Sequence, residues 1–117
     1  MKKRQEKINE ALRFWQERLN LGSWQIDFEL KKFTRIDYIQ SGDIKVDMDK
    51  KIAIVLISEE ETGRDDYIIL HELVHLVLWE MDIFTEKNII EKRKNHYFEL
   101  LEKTCKDITD ILFKEQK

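Results

Sequence analysis

Residues Tyr67 to Met81 carry apolar side chains almost all the way round a helical repeat. A helix of that kind must be covered on every side in a soluble protein, so it forms the buried centre of its domain. It is far too short to cross a bilayer. Between Tyr67 and Trp79 only His71, Glu72 and His75 interrupt the apolar run. Two imidazoles and a carboxylate on a buried helix are costly unless something compensates them.

The rest of the chain supplies layers to cover this helix. From about Lys3 to Leu21, the residues Ile8, Ala11, Leu12, Trp15 and Leu19 make one apolar stripe, which predicts an amphipathic helix ending near Gly22. Trp24, Ile26, Phe28 and Leu30 alternate with polar residues, as in a half-buried strand. Ile44, Val46 and Met48 alternate again, and Asp49-Lys50-Lys51 reads as a turn. Ile52 to Ile57 is apolar on both faces and predicts a more buried strand. Ser58 to Asp66 reads as a loop, with Asp65 or Asp66 as the N-cap of the central helix. A polar connection from Asp82 to about Lys87 should lead to a last helix from near Asn88 to Phe113. The order α-β-β-β-α-α predicts the α+β class, with a small antiparallel or mixed sheet packed on the buried helix and a C-terminal helix.

At 117 residues the chain predicts one domain spanning 1–117. Its 21 Lys and Arg against 24 Asp and Glu give a net charge of −3, which speaks against a nucleic-acid partner. A single cysteine, Cys105, excludes an internal disulfide framework and a cysteine-based zinc finger. The basic start Met1–Glu6 is followed by no apolar segment. That predicts no secretory signal and, with the cysteine count, a cytoplasmic protein without a membrane anchor.

The three polar residues of the central run form His71-Glu72-Leu73-Val74-His75. Four residues apart on a helix, the two imidazoles project from one face and can reach one ion at roughly 2.0–2.1 Å. Glu72, turned about 100° from His71, stands beside that ion and not on it. There it can take a proton from a water that zinc would acidify to a pKa of about 7. This is the H-E-x-x-H arrangement of zinc hydrolases, and the implied cofactor is Zn2+.

A catalytic zinc needs a third protein ligand. Leu78 and Met81 stand three and six residues after His75, so the metzincin extension is absent. The last helix is the best source. With Phe98 at zero, the apolar residues Phe98, Leu101, Cys105, Ile108 and Leu112 fall within about 80° of one another. Glu102 stands at about 40° on the border of that stripe, Glu99 at about 100° and His96 at about 160°. Glu102 is the favoured third ligand, with Glu99 and His96 as alternatives. Otherwise Glu102 is a rim residue paired with Lys106.

On these residues the chain resembles the zincin metallopeptidases of the gluzincin type, whose His-Glu-x-x-His is joined by a downstream Glu. More narrowly it resembles the small single-domain minigluzincins. The matching features are the element order, the strand Trp24-Gln25-Ile26-Asp27-Phe28, the strand Ile52–Ile57, the motif itself, and Glu102 followed by Cys105, Ile108, Thr109 and Leu112. The resemblance implies a zincin-like fold, zinc held by His71, His75 and Glu102, and Glu72 as general base. It also implies peptide or protein substrates, pairing in extended form along Ile52–Ile57. Tyr97 or His96 would steady the oxyanion. Minigluzincins are further associated with latency, which here would fall to the tail Phe113–Lys117. A SprT-like site would use His96 as third ligand, but such proteins usually act on DNA-linked protein and carry basic segments, which the net charge of −3 does not support.

Other residues carry simpler expectations. Trp79 is a buried aromatic or the wall of a specificity pocket. Tyr67 stacks on His71 or simply packs. Cys105 is a core residue, and Lys92-Arg93-Lys94 is a solvated face. The function expected from all this is a small zinc metallopeptidase. The rival is a zinc-stabilised binding or regulatory module without turnover.

Overall fold

The computed structural model describes residues 2–33, 42–60 and 63–116. Its elements are α1 (Lys2–Arg18), β1 (Gln25–Lys31), β2 (Gly42–Asp47), β3 (Ile52–Ser58), α2 (Asp65–Val77), α3 (Trp79–Asn88) and α4 (Lys94–Glu115), with one 3-10 turn at Glu91–Arg93. This is an α+β domain with a three-stranded mixed sheet. The strand order is β1-β3-β2, with β1 parallel and β2 antiparallel to β3. Among the described residues no helix is long and apolar enough to cross a membrane.

The alternation in the sequence appears as burial. Ile26 and Ile44 face the core, with Phe28, Leu30 and Val46 packed beside them. β3, apolar on both faces, is the central strand, and Ala53, Val55, Leu56 and Ile57 are buried. Helix α2 lies against the sheet and against α1 and α4, burying Ile68, Ile69, Leu70, Leu73, Val74 and Leu76. From α1 come Ile8, Leu12 and Trp15, and from α4 comes Cys105. One contact that the sequence did not advertise ties these layers. Arg4 grips Asp65 through two nitrogens at 2.8 and 3.0 Å and donates to the carbonyls of Ser58 and Glu59 at 2.9 Å each.

Four expectations need correction. The central helix does not run to Met81: it ends at Val77, and Leu78 (φ −92°, ψ 3°) bends the chain into α3. The Leu78 N–H still reaches Val74 O and the Asp82 N–H reaches Leu78 O, so the axis turns without unwinding. The polar connection 82–87 is itself helical, because it holds no Pro or Gly and its Thr85 and Asn88 side chains bond back to Met81 O and Phe84 O. The last helix starts at Lys94 and not near Asn88, since Ile89 and Ile90 are extended (ψ 144° and 150°). Finally, neither Asp65 nor Asp66 is the N-cap of α2. Arg64 holds that position, and both aspartates lie in the first turn, where the helix dipole favours them and Arg4 takes Asp65.

Candidate metal centre

His71 and His75 stand one turn apart on the α2 face that meets α4, with ring centroids 4.9 Å apart and planes at 72°. Their Nε2 atoms converge on one carboxylate of α4. His75 Nε2 lies 2.7 Å from Glu102 Oε1, and His71 Nε2 lies 3.8 Å from Glu102 Oε2. One ligand atom from each of the three residues falls within 4.8 Å of the others. Ligand atoms on a tetrahedral ion at roughly 2.0–2.1 Å are about 3.3 Å apart, so the spacings straddle what such an ion requires. Two imidazoles and one carboxylate also form a donor set suited to zinc, and three protein ligands leave a fourth position for water or substrate.

The electrostatics agree with that geometry. Burial alone would lower the His75 imidazolium, but its contacts with Cys105 and Glu102 outweigh burial and raise it to about 10. His71 and His75 hold the Glu102 carboxyl far below the usual carboxylate range. Without a metal, a proton on His75 therefore fills the place of the cation beside Glu102. The Glu102 side chain is 63% exposed, so the site opens outward on the α4 side.

Glu72 is in a different environment. It is only 8% exposed and lies beside the start of β2. A methyl at Gly42 would stand 3.2 Å from Glu72 Oε2 and 2.6 Å from Ile68 Cγ2. Burial pushes the Glu72 carboxyl up from 4.5 to about 7, against the pull of His75 and His71, with Asp43 and Glu102 adding to the rise. A carboxylate held near 7 is poised to accept and return a proton at neutral pH.

The alternatives to Glu102 are not brought to the site. His96 and Glu99 face each other at 3.9 Å, both strongly exposed. Lys106 pairs with Asp110 at 2.9 Å and not with Glu102. The Tyr97 hydroxyl donates to Asp82 at 2.6 Å, and burial together with Asp82 pushes its phenol up to about 12, so Tyr97 serves to tie α4 to α3. Tyr67 does stack on His71, with centroids 6.5 Å apart, while its hydroxyl donates to Asp110 at 2.6 Å. Trp79 packs against the core, and Lys92 and Arg93 are exposed. Phe113 belongs to α4 and packs edge-on against Tyr67, a turn of α2 before His71, so the described part of the tail does not lie over Glu72; Lys117 falls outside the described residues.

The strand expected to pair with substrate is also displaced. β3 is hydrogen-bonded on both sides, to β1 and β2, and has no free edge. The strand beside Glu72 is β2, which lies at the edge of the sheet among the described residues. Strand order is a long-range property that an apolar run such as Ile52–Ile57 does not encode.

No family model, curated protein or solved structure matches the chain. The functional reading therefore stands on the motif and on this geometry.

Proposed function

We propose that the chain is a small zinc-dependent metallopeptidase of the zincin type. The observation that carries the reading is the convergence of His71 Nε2, His75 Nε2 and the Glu102 carboxylate from two helices, with the buried Glu72 set one residue aside. A zinc ion held by these three residues would act as a Lewis acid on the scissile carbonyl and lower the pKa of water in the open position. His71 and His75 would each give a ring nitrogen to the ion, and Glu102 would contribute the one negative charge of the ligand set. Glu72 accepts a proton from the attacking water on its carboxylate and returns it to the leaving amine. Its partial desolvation favours both steps, because a carboxyl near 7 is neither too weak to take the proton nor too strong to release it. An extended peptide would add to the outer edge of β2 as an extra strand.

Glu72→Gln tests this. The amide keeps the size of the side chain and cannot accept the proton. The variant should fold, keep its zinc and lose cleavage of a peptide library by a factor on the order of 10²–10⁴. Equal cleavage by wild type and variant would remove Glu72 from the chemistry. A zinc-loaded wild type that cleaves nothing would instead favour a zinc-stabilised binding module.

A further inference from the structure

The two imidazoles are held from behind by α4 as well. Thr109 Oγ1 lies 3.5 Å from His71 Nδ1, and Cys105 Sγ lies 3.5 Å from His75 Nδ1. Thr109 and Cys105 are both 0% exposed, so water does not substitute for either. The Thr109 hydroxyl also donates to Cys105 O at 2.6 Å, which commits its only hydrogen. A hydroxyl so committed can only accept from the imidazole, so the hydrogen between them is on Nδ1 of His71. The lone pair is then on Nε2, the nitrogen that faces Glu102. For His75 the placement is alike: Nε2 faces Glu102 and Nδ1 faces the Cys105 sulfur, which would accept the Nδ1 hydrogen once Nε2 gives its lone pair to a metal.

We propose that Thr109 and Cys105 are positioning residues that fix both histidines as Nδ1–H tautomers through uncharged acceptors. Helix α4 then supplies the third ligand and, one and two turns later on the same face, both groups that aim the other two ligands. This rests on the metal-centre reading. Outer partners of metal-bound histidines orient the ring and are worth 10–100-fold in metal affinity. A hydroxyl and a thiol do this without the negative charge that a carboxylate would bring behind the ring. The charge of the ligand set therefore comes from Glu102 alone.

The test is zinc titration of the metal-stripped protein, with two-bond proton–nitrogen NMR of the histidine rings. Thr109→Val keeps the shape of the side chain and removes the acceptor. It should bind zinc on the order of 10–100-fold more weakly than wild type. Thr109→Ser should restore affinity to within about threefold, which a packing role alone would not do. In the zinc-loaded wild type both rings should carry hydrogen on Nδ1. Thr109→Val binding zinc as tightly as wild type, or a wild-type His71 hydrogen on Nε2, would overturn the inference while leaving the metal centre in place. The NMR readout requires no variant, so it decides even if Thr109→Val fails to fold. A wild type that takes up no zinc removes the metal-centre reading, and this inference with it.

Discussion

Helix α2 carries a charged cluster at each end, and the two are built on opposite principles. At its first turn Asp65 receives two hydrogen bonds from Arg4, which also donates to the carbonyls of Ser58 and Glu59. Arg4 is 8% exposed, and every group in that cluster has its complement within the chain. Further along α2, His71, His75 and Glu102 turn ligand atoms toward one another, and among the described residues the complements of Glu102 are these two imidazoles, His75 with its pKa raised to about 10. One cluster is closed and fastens α1 and the end of β3 to α2. The other gathers three ligand atoms within 4.8 Å of one another, an arrangement that could hold a cation. Charge on a helix is thus informative only once its partners are counted: the closed cluster speaks of the fold, the convergent one of the ligand.

The largest effect should come from opening the ligand set. Wild type should hold about one zinc per chain. Free zinc at a hundred times its dissociation constant should stabilise the fold by about 2.7 kcal/mol. His71→Ala and His75→Ala should each abolish the bound metal and the zinc-dependent rise in melting temperature. A double variant that still melts higher with zinc would place the ion elsewhere.

Breaking the closed cluster should have the reverse signature. Arg4→Met leaves Asp65 and two carbonyls without their partner at a mostly buried position, a loss of about 3 kcal/mol. Thermal melting should fall by roughly 10 °C in the metal-free protein. The added stability conferred by zinc should be unchanged, because Arg4 touches none of the three ligands. A smaller zinc increment in Arg4→Met would show that the two ends of α2 are coupled.

The same contrast separates what could be read in the sequence from what could not. That His71, His75 and Glu102 come together was legible because its information is local: the two histidines are spaced by one helical turn, and Glu102 sits on the border of an apolar stripe. Thr109 lies on that same helical wheel at about 20°, between the Phe98 edge of the stripe and Glu102. An uncharged residue there raises no alarm, so only its contact with His71 reveals it. The alternation in β1 and β2 was equally local and reappears in their burial. The Arg4–Asp65 pair spans 61 residues and leaves no periodic trace. The break at Leu78 was hidden for a different reason: neither Pro nor Gly marks it, and the helical hydrogen bonds continue across it. The central place of β3 depends on which strands meet after the chain has folded.

The smallest expected effect lies at Gly42, where the sheet approaches the metal centre. Gly42 has no positive φ, so alanine fits its backbone and only the added methyl matters. That methyl would meet Ile68 Cγ2 at 2.6 Å, closer than carbon atoms pack, and Glu72 Oε2 at 3.2 Å. Ile68 is buried and must give way, which should destabilise Gly42→Ala by about 1–2 kcal/mol, the usual scale of overpacking. The ligands are untouched, so zinc affinity should stay within about twofold of wild type. Glu72 is the other neighbour, and its carboxylate should be pushed off the β2 edge, lowering peptide cleavage several-fold. Melting curves, zinc titration and cleavage on the same preparation distinguish the outcomes. Full cleavage in a destabilised Gly42→Ala would show that Ile68 absorbs the methyl alone and that Glu72 is held by α2 without help from the sheet. Weakened zinc binding would show instead that β2 supports the ligands themselves, and the division between a metal face on α4 and a base face on the sheet would have to be redrawn.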